Sequence, residues 1–264
     1  GNGARLGVFN RISILIQDAS ATLSAPWAQS LLGSAASYPY GTTAYSAAAT
    51  DAEGFIGSSM IGGSVASGGT TDSCRFIYQQ RTGDGVMTAY VRSTSPANSS
   101  ARMGLMIRAT ATANSKLAGI MASSSTGTSG YGTKIISRSS TTLSESPSTT
   151  NQLVPPCWVR LTRIGDLFLT EHSTNGSTWT SVGQATVTGI PSTAVWGLFN
   201  MAGGVAISSD HSANYQLAGF ENISFDTIPA PDTPDGVTAT AVSNTSVTVQ
   251  WNTRPYTAAY LVQR

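Results

Sequence analysis

Thirteen acidic residues and two histidines hold most of the acid–base chemistry open to this chain. Hydrolysis of a glycosidic bond needs two carboxyl groups flanking it, one as acid and one as base or nucleophile. A strand would offer such a pair two residues apart, because alternate side chains share a face. Before residue 227 only Asp51 and Glu53 have that spacing, and the alanine run before them and Gly54 after them make poor strand sequence. Asp84 and Asp166 stand beside glycines in turn sequences, where aspartate is favoured by hydrogen bonds to its own backbone. No residue is assigned a catalytic role, and the chain is read as a non-enzyme.

His172 and His211 lack the additional Cys, His or carboxylate partners at zinc-ligand spacing. His172 ends a hairpin strand and is expected at the surface. His211 lies with Asp210 in the polar stretch Ser208-Ser-Asp-His-Ser-Ala-Asn214, where it could orient a ligand hydroxyl. No cofactor is expected. Calcium, which takes about six to eight oxygens from loops, stays open without named ligands.

Sugar recognition commonly uses an exposed ring against the pyranose face together with polar groups aimed at hydroxyls. Trp27, Tyr38, Tyr40, Tyr45, Tyr131 and Tyr215 are candidate rings, whereas Trp158, Trp179 and Trp196 fall in regular strand sequence and are expected in the core. Tyr38, Tyr40, Tyr45, Tyr131 and His211 form the candidate ligand-binding set. Cys74 and Cys157 are either a disulfide, which would contribute roughly 4–5 kcal/mol in the chain-entropy model, or two buried thiols. Sequons at Asn98, Asn175, Asn222 and Asn244 permit glycosylation in a eukaryotic secretory setting.

The elements that must position these residues read as β-strands. Only 10% of the 264 residues are charged, against roughly 25% in ordinary soluble domains, and Lys116 and Lys134 are the sole lysines. Net charge is +1 with no basic run, which argues against a nucleic-acid partner. No apolar stretch approaches the roughly 18 residues of a membrane span. The chain opens Gly-Asn-Gly, as a mature or trimmed product would.

Strands are expected at Arg11–Gln17, Cys74–Gln80, Val86–Arg92, Arg102–Arg108, Leu117–Ala122 and Gly132–Arg138, then at Trp158–Arg163, Leu167–His172, Thr178–Val182, Val195–Met201 and Leu217–Phe225. Arg102–Arg108 is apolar on both faces, as a strand between two layers should be. Gly165-Asp166 and Asn175-Gly176 are the clearest turns. Ala/Ser-rich sequence around Pro26 and Trp27 reads as a loop or one helical turn, and Ser139–Gln152 as a long surface loop. At Ile228-Pro-Ala-Pro-Asp-Thr-Pro-Asp-Gly236 the composition becomes that of a linker. Three strands are expected after it, at Val237–Val242, Ser246–Trp251 and Tyr260–Arg264. The domains are therefore an N-terminal strand and connector (1–30), a sandwich (31–227), a linker (228–236) and a short module (237–264).

The succession Phe76-Ile-Tyr-Gln, Thr82-Gly-Asp-Gly85, Gly104-Leu-Met-Ile-Arg108, Trp158-Val-Arg-Leu-Thr-Arg163, Ser173-Thr-Asn-Gly176 to Trp179, Gly197-Leu and Phe220-Glu-Asn-Ile-Ser224 resembles bacterial laminin G-like domains of the concanavalin A-like superfamily. The resemblance covers about Leu31 to Asp226 and implies an all-β fold, a two-sheet antiparallel jelly-roll sandwich. Pro234-Asp-Gly-Val237 through Trp251 to Tyr260-Leu-Val resembles the first third of a fibronectin type III module, which implies a partial second sandwich. Both families occur in modular exoproteins, so the implied setting is secreted, extracellular or at the cell surface.

Three functions compete. The first is a non-catalytic module for carbohydrate or surface-polymer recognition and adhesion. The second is a structural subunit of a filament or other assembly, a homo-polymer joined by strand exchange at its termini. The third is an ancillary domain of a secreted glycoside hydrolase.

Overall fold

The computed structural model describes residues 23–33, 48–50, 55–61, 63–93, 101–123, 132–145, 152–203, 215–228 and 235–252. By internal contact the chain divides into Gly1–Asp226 and Thr227–Arg264. The first unit holds β1 (Ala28–Leu31), β2 (Ala48–Thr50), β3 (Ile56–Ile61), β4 (Arg75–Thr82), β5 (Gly85–Ser93), β6 (Arg102–Arg108) and β7 (Leu117–Ser123). It continues with β8 (Lys134–Arg138), β9 (Ser144–Glu145), β10 (Cys157–Ile164), β11 (Leu167–Ser173), β12 (Thr180–Thr186), β13 (Thr193–Met201) and β14 (Tyr215–Asp226). No α-helix occurs among the described residues.

These strands form two seven-stranded sheets. The first has the order β1-β4-β13-β6-β7-β8-β9 and the second β12-β11-β10-β5-β14-β3-β2. Every strand pair is antiparallel, as the hairpin-rich sequence demands. Non-consecutive neighbours such as β4, β13 and β6 show that the chain crosses between sheets instead of running as a simple meander. The protein is an all-β, two-sheet antiparallel jelly-roll sandwich.

The main core lies between the sheets. Ile77, Met103, Leu105, Ile107, Ala118 and Ile120 come from the first sheet, and Met87, Ala89, Val91, Val159, Leu161, Phe168 and Phe220 from the second. Each large apolar side chain removed from water in this way contributes about 1.5–3 kcal/mol. The first sheet has a second buried face. Phe76, Met106, Leu117, Met121, Ile136, Phe199 and Met201 pack there beneath Val65, from the segment before β4, and Leu143, from the segment before β9. This accounts for the two-sided apolar character of β6: Met103, Leu105 and Ile107 enter one core, Met106 the other. Gly104, between them, has φ +154°, and a Cβ there would stand 2.1 Å from the Ile120 carbonyl oxygen. Only glycine lets β6 and β7 approach this closely.

Several expectations change. The stretch expected to be a loop or helical turn near Trp27 is a turn leading into β1, which spans the anticipated boundary at residue 30 and pairs with β4. β3 was not legible, because Ile56-Gly-Ser-Ser-Met-Ile61 breaks the alternation with small residues. The expected surface loop Ser139–Gln152 contains β9, paired with β8, and the buried Leu143. The expected strand Arg11–Gln17 lies outside the described residues.

In the second unit, β15 (Thr238–Ser243) and β16 (Ser246–Gln250) form one antiparallel hairpin. Asn252 closes its base: its N–H donates to the Asp235 carbonyl at 3.0 Å and its Nδ2 to Asp235 Oδ1 at 2.9 Å. The strand expected at Tyr260–Arg264 lies outside the described residues.

Candidate functional site

All five members of the sequence-derived ligand set, Tyr38, Tyr40, Tyr45, Tyr131 and His211, lie outside the described residues, as do Asp51, Glu53 and Asn98. Cys74 and Cys157 carry no disulfide. Cys74 belongs to the outer core of the first sheet and Cys157 to the core between the sheets, so of the two alternatives the structure has buried thiols. Burial pushes both thiols up to about 12, with opposing smaller effects of Arg108 and Asp72 at Cys74. His172 is 5% exposed rather than superficial. Its Nδ1 lies 2.5 Å from Thr133 Oγ1, which also accepts the Leu153 N–H at 3.3 Å, and burial lowers the imidazole pKa.

The described residues that converge on solvent with recognition chemistry lie on the outer face of the second sheet. In β5, Met87, Ala89 and Val91 are buried and Thr88, Tyr90 and Arg92 point away from the core. In β10, Cys157, Val159 and Leu161 point inward and Trp158 and Arg160 outward. The antiparallel register then sets Ser173, Trp158, Tyr90 and Glu221 in one row across β11, β10, β5 and β14. Glu171, Arg160 and Thr88 form the adjacent row. The Trp158 and Tyr90 ring centroids are 5.3 Å apart with the planes tilted by 53°.

The turn after β11 completes the face. Ser173 Oγ accepts the Asn175 and Gly176 N–H groups at 3.1 and 2.9 Å, while Asn175 Oδ1 accepts those of Ser177 and Thr178 at 2.9 and 2.8 Å. Short polar side chains here substitute for backbone partners, the reason Asn and Ser favour turns. Gly176 has φ +74° and packs directly on Trp158; a Cβ would come within 2.9 Å of the indole. The chain then brings Trp179 beneath the guanidinium of Arg160, 4.2 Å from the ring centroid.

The charges flanking the aromatic rings are paired, while Asp226, exposed further along the same face of β14, accepts a hydrogen bond from Ser224 Oγ at 2.7 Å. Arg160 Nε and Nη2 each lie 2.7 Å from Glu171 Oε2. Arg92 Nε lies 2.9 Å from Glu221 Oε1, and its guanidinium sits 5.0 Å from the Tyr90 centroid. Glu171 and Glu221 are on strands three spacings apart, about 14 Å at the usual sheet spacing. Paired carboxyl groups of glycosidases stand about 5–9.5 Å apart. The face therefore offers aromatic edges, guanidiniums and carboxylates without two acids confronting each other.

A concavity of about 390 Å³ lies at the turn end, lined by Gly83, Asp84, Arg163, Gly165, Asp166 and Ser192. Its polar groups hold the turns together. Asp84 Oδ1 accepts the Gly165 N–H at 2.7 Å, and Arg163 donates to the carbonyls of Gly165, Ile190 and Pro191 at 3.0, 2.8 and 2.8 Å. Among the described residues no group of three or more His, Cys, Asp or Glu side chains is arranged to hold a metal ion.

Sequence reasoning missed the face by expecting Trp158 and Trp179 in the core; of the three tryptophans so placed, only Trp196 is buried there. The signal was present. Thr88, Tyr90 and Arg92 alternate with three apolar residues, as Trp158 and Arg160 do with Val159 and Leu161, so strand period alone sets them on one side.

No protein-family model and no curated protein matches the chain. Solved structures do. A functionally unknown protein from Saccharomyces cerevisiae is similar over 70% of this chain and 93% of its own, at 14% identity and a TM-score of 0.50. The GH43 protein BlXynB from Bacillus licheniformis matches 65% of this chain and 33% of its own, at 11% identity and a TM-score of 0.49. The carbohydrate binding module CBM66 from Bacillus subtilis matches 69% of this chain and 92% of its own, at 16% identity and a TM-score of 0.43. At such identities the likeness is one of fold alone. No helix among the described residues is long and apolar enough to cross a membrane.

Proposed function

We propose that the chain is a non-catalytic extracellular or cell-surface module that recognises carbohydrate or a surface polymer through the outer face of the second sheet. The observation that carries this reading is the stripe of half-buried Tyr90, Trp158 and Trp179 interleaved with Arg160–Glu171 and Arg92–Glu221. Aromatic surface beside paired polar groups suits a ligand that is apolar on its ring faces and hydroxylated at its edges.

The same stripe would arise if it only braced the sheet, and Trp179 separates the two readings. It stands outside the strands and packs against Arg160, so Trp179→Ala should leave the sandwich folded. Affinity electrophoresis against a polysaccharide panel, with the melting temperature as control, is the test. Binding by the parent and its loss in Trp179→Ala at an unchanged melting temperature is the expected result. A parent that binds no glycan would refute the proposal.

A second reading, assembly through the terminal strands, draws on the β15–β16 hairpin. It exposes Val237, Val242, Val247 and Val249, the exposed large hydrophobics among the described residues. An isolated two-stranded hairpin is marginal in water. Sedimentation of the chain with and without residues 233–264 checks it: self-association that survives the deletion would sink this reading.

A further inference from the structure

We infer that the stripe on the second sheet selects a neutral glycan and rejects polyanionic ones, an inference that rests on the carbohydrate reading and adds the ligand's charge class to it. Four charged side chains belong to the stripe, Arg92, Arg160, Glu171 and Glu221, two of each sign. Both pairs stand at ion-pair distance, the Arg160 pair hydrogen-bonded and the Arg92 pair held by charge without an aligned Nε hydrogen bond. Arg160 reaches Glu171 through two nitrogens at 2.7 Å, and Arg92 meets Glu221 at 2.9 Å. Each guanidinium also lies against a ring, Trp179 at 4.2 Å and Tyr90 at 5.0 Å. The negative ring face adds to the attraction that already holds each cation.

For a carboxylated or sulfated polymer to use these arginines, each would have to leave a carboxylate at contact distance. Glu171 and Glu221 would then face the incoming anions unpaired, and like charges at close range repel. A neutral, hydroxyl-bearing chain demands no such exchange. Carboxylate oxygens keep lone pairs for sugar hydroxyls while remaining bonded to arginine. The register supplies two adjacent rows, one with Trp158, Tyr90 and Glu221 and one with Arg160 and Glu171, so neighbouring sugar units meet an aromatic group and a carboxylate in turn.

The full chain should be titrated against neutral polymers (mixed-linkage β-glucan, xylan, levan) and acidic ones (polygalacturonate, alginate). Neutral binding is expected to change less than about twofold between about 0.01 and 0.1 M salt, over which the screening length falls from about 30 to about 10 Å. The double variant Glu171→Gln, Glu221→Gln releases the two arginines. It should gain at least about tenfold, roughly 1.4 kcal/mol, for the acidic polymers at low salt and lose that gain at high salt. Preferential, salt-sensitive binding of acidic polymers by the parent, abolished by Arg160→Gln, would overturn the charge-class inference and leave the carbohydrate reading standing. A double variant that stays indifferent to polyanions would also overturn it. Failure of the parent to bind any polymer, or binding indifferent to Trp179→Ala, would instead remove the carbohydrate reading.

Discussion

Arg108 Nη1 donates to Asp72 Oδ2 at 2.6 Å, and neither side chain is exposed to solvent. Arg138 closes on the same carboxylate from β8, with Nη2 2.6 Å from Oδ1 and Nη1 2.8 Å from Oδ2. Further N–H groups reach backbone carbonyls of the covering segments, Arg108 Nη2 to Thr112 at 2.6 Å and Arg138 Nη1 to Ser115 at 3.2 Å, while the Nε of each arginine is buried without a hydrogen-bond partner among the described residues. This buried cluster fastens the segment before β4 and the β6–β7 connection onto the outer face of the first sheet. It thereby closes the second core around Val65 and Leu117.

Removing the shared carboxylate strands two buried cations. Asp72→Asn is expected to destabilise the first unit by about 3–5 kcal/mol, the usual consequence of breaking a buried ion pair from one side. Replacing the whole cluster by Asp72→Leu, Arg108→Met and Arg138→Met should recover much of that loss, because no uncompensated charge remains. Urea unfolding of the three proteins checks this. Near-parent stability of Asp72→Asn would mean that water reaches the cluster.

The two thiols should be silent in the native protein. With both pushed up to about 12 by burial, almost no thiolate is present at neutral pH, and thiolate is the reactive form. A thiol-counting reagent should therefore find none in buffer and two after unfolding in guanidinium without reductant. Two unreactive cysteines after unfolding would mean a disulfide.

His172 makes stability depend on pH in a defined direction. Burial lowers its pKa in the folded chain, so the unfolded chain takes up a proton first as pH falls through the ordinary histidine value of about 6.5. More protons on the unfolded state means that stability falls with falling pH. The contribution is complete above about 6.5, declines as pH drops toward the folded pKa, and levels off below it. Chemical unfolding between pH 8 and 5 (roughly the range in which histidine titrates), compared for the parent and His172→Gln, should show the parent losing more stability.

Gly176→Ala tests the coupling between the β11–β12 turn and the stripe. The residue has φ +74°, and its new Cβ would press on the Trp158 indole at 2.9 Å. Left-handed backbone costs about 1–2 kcal/mol for a residue with a Cβ, before any clash. A lower melting temperature, a shifted tryptophan emission and weaker glycan binding are expected together. A variant that melts lower yet binds normally would show that Trp158 does not need this support.

Sequence by itself determined the class of the fold and much of its local syntax. Period-two alternation marked β5, β10 and β11, and the Gly165-Asp166 and Asn175-Gly176 turns fell where positive φ or side-chain capping is needed. β6 announced two buried faces through Met103, Leu105 and Ile107 on one side and Met106 on the other. Strand period is a local property, so it survives in one dimension.

What only the tertiary structure decided is which surfaces are covered and who meets whom. Asp72 was one acidic residue among thirteen until the covering segment brought it between arginines of β6 and β8, 36 and 66 residues away. His172 became interior because Thr133 and Leu153 close over it, and Trp158 stayed half-exposed because, among the described residues, the Gly176 turn is what packs on it from outside the sheet. Alternation says that Trp158 and Arg160 share a side. Whether that side meets another layer or water depends on cross-strand register and on distant segments, which no window of sequence contains.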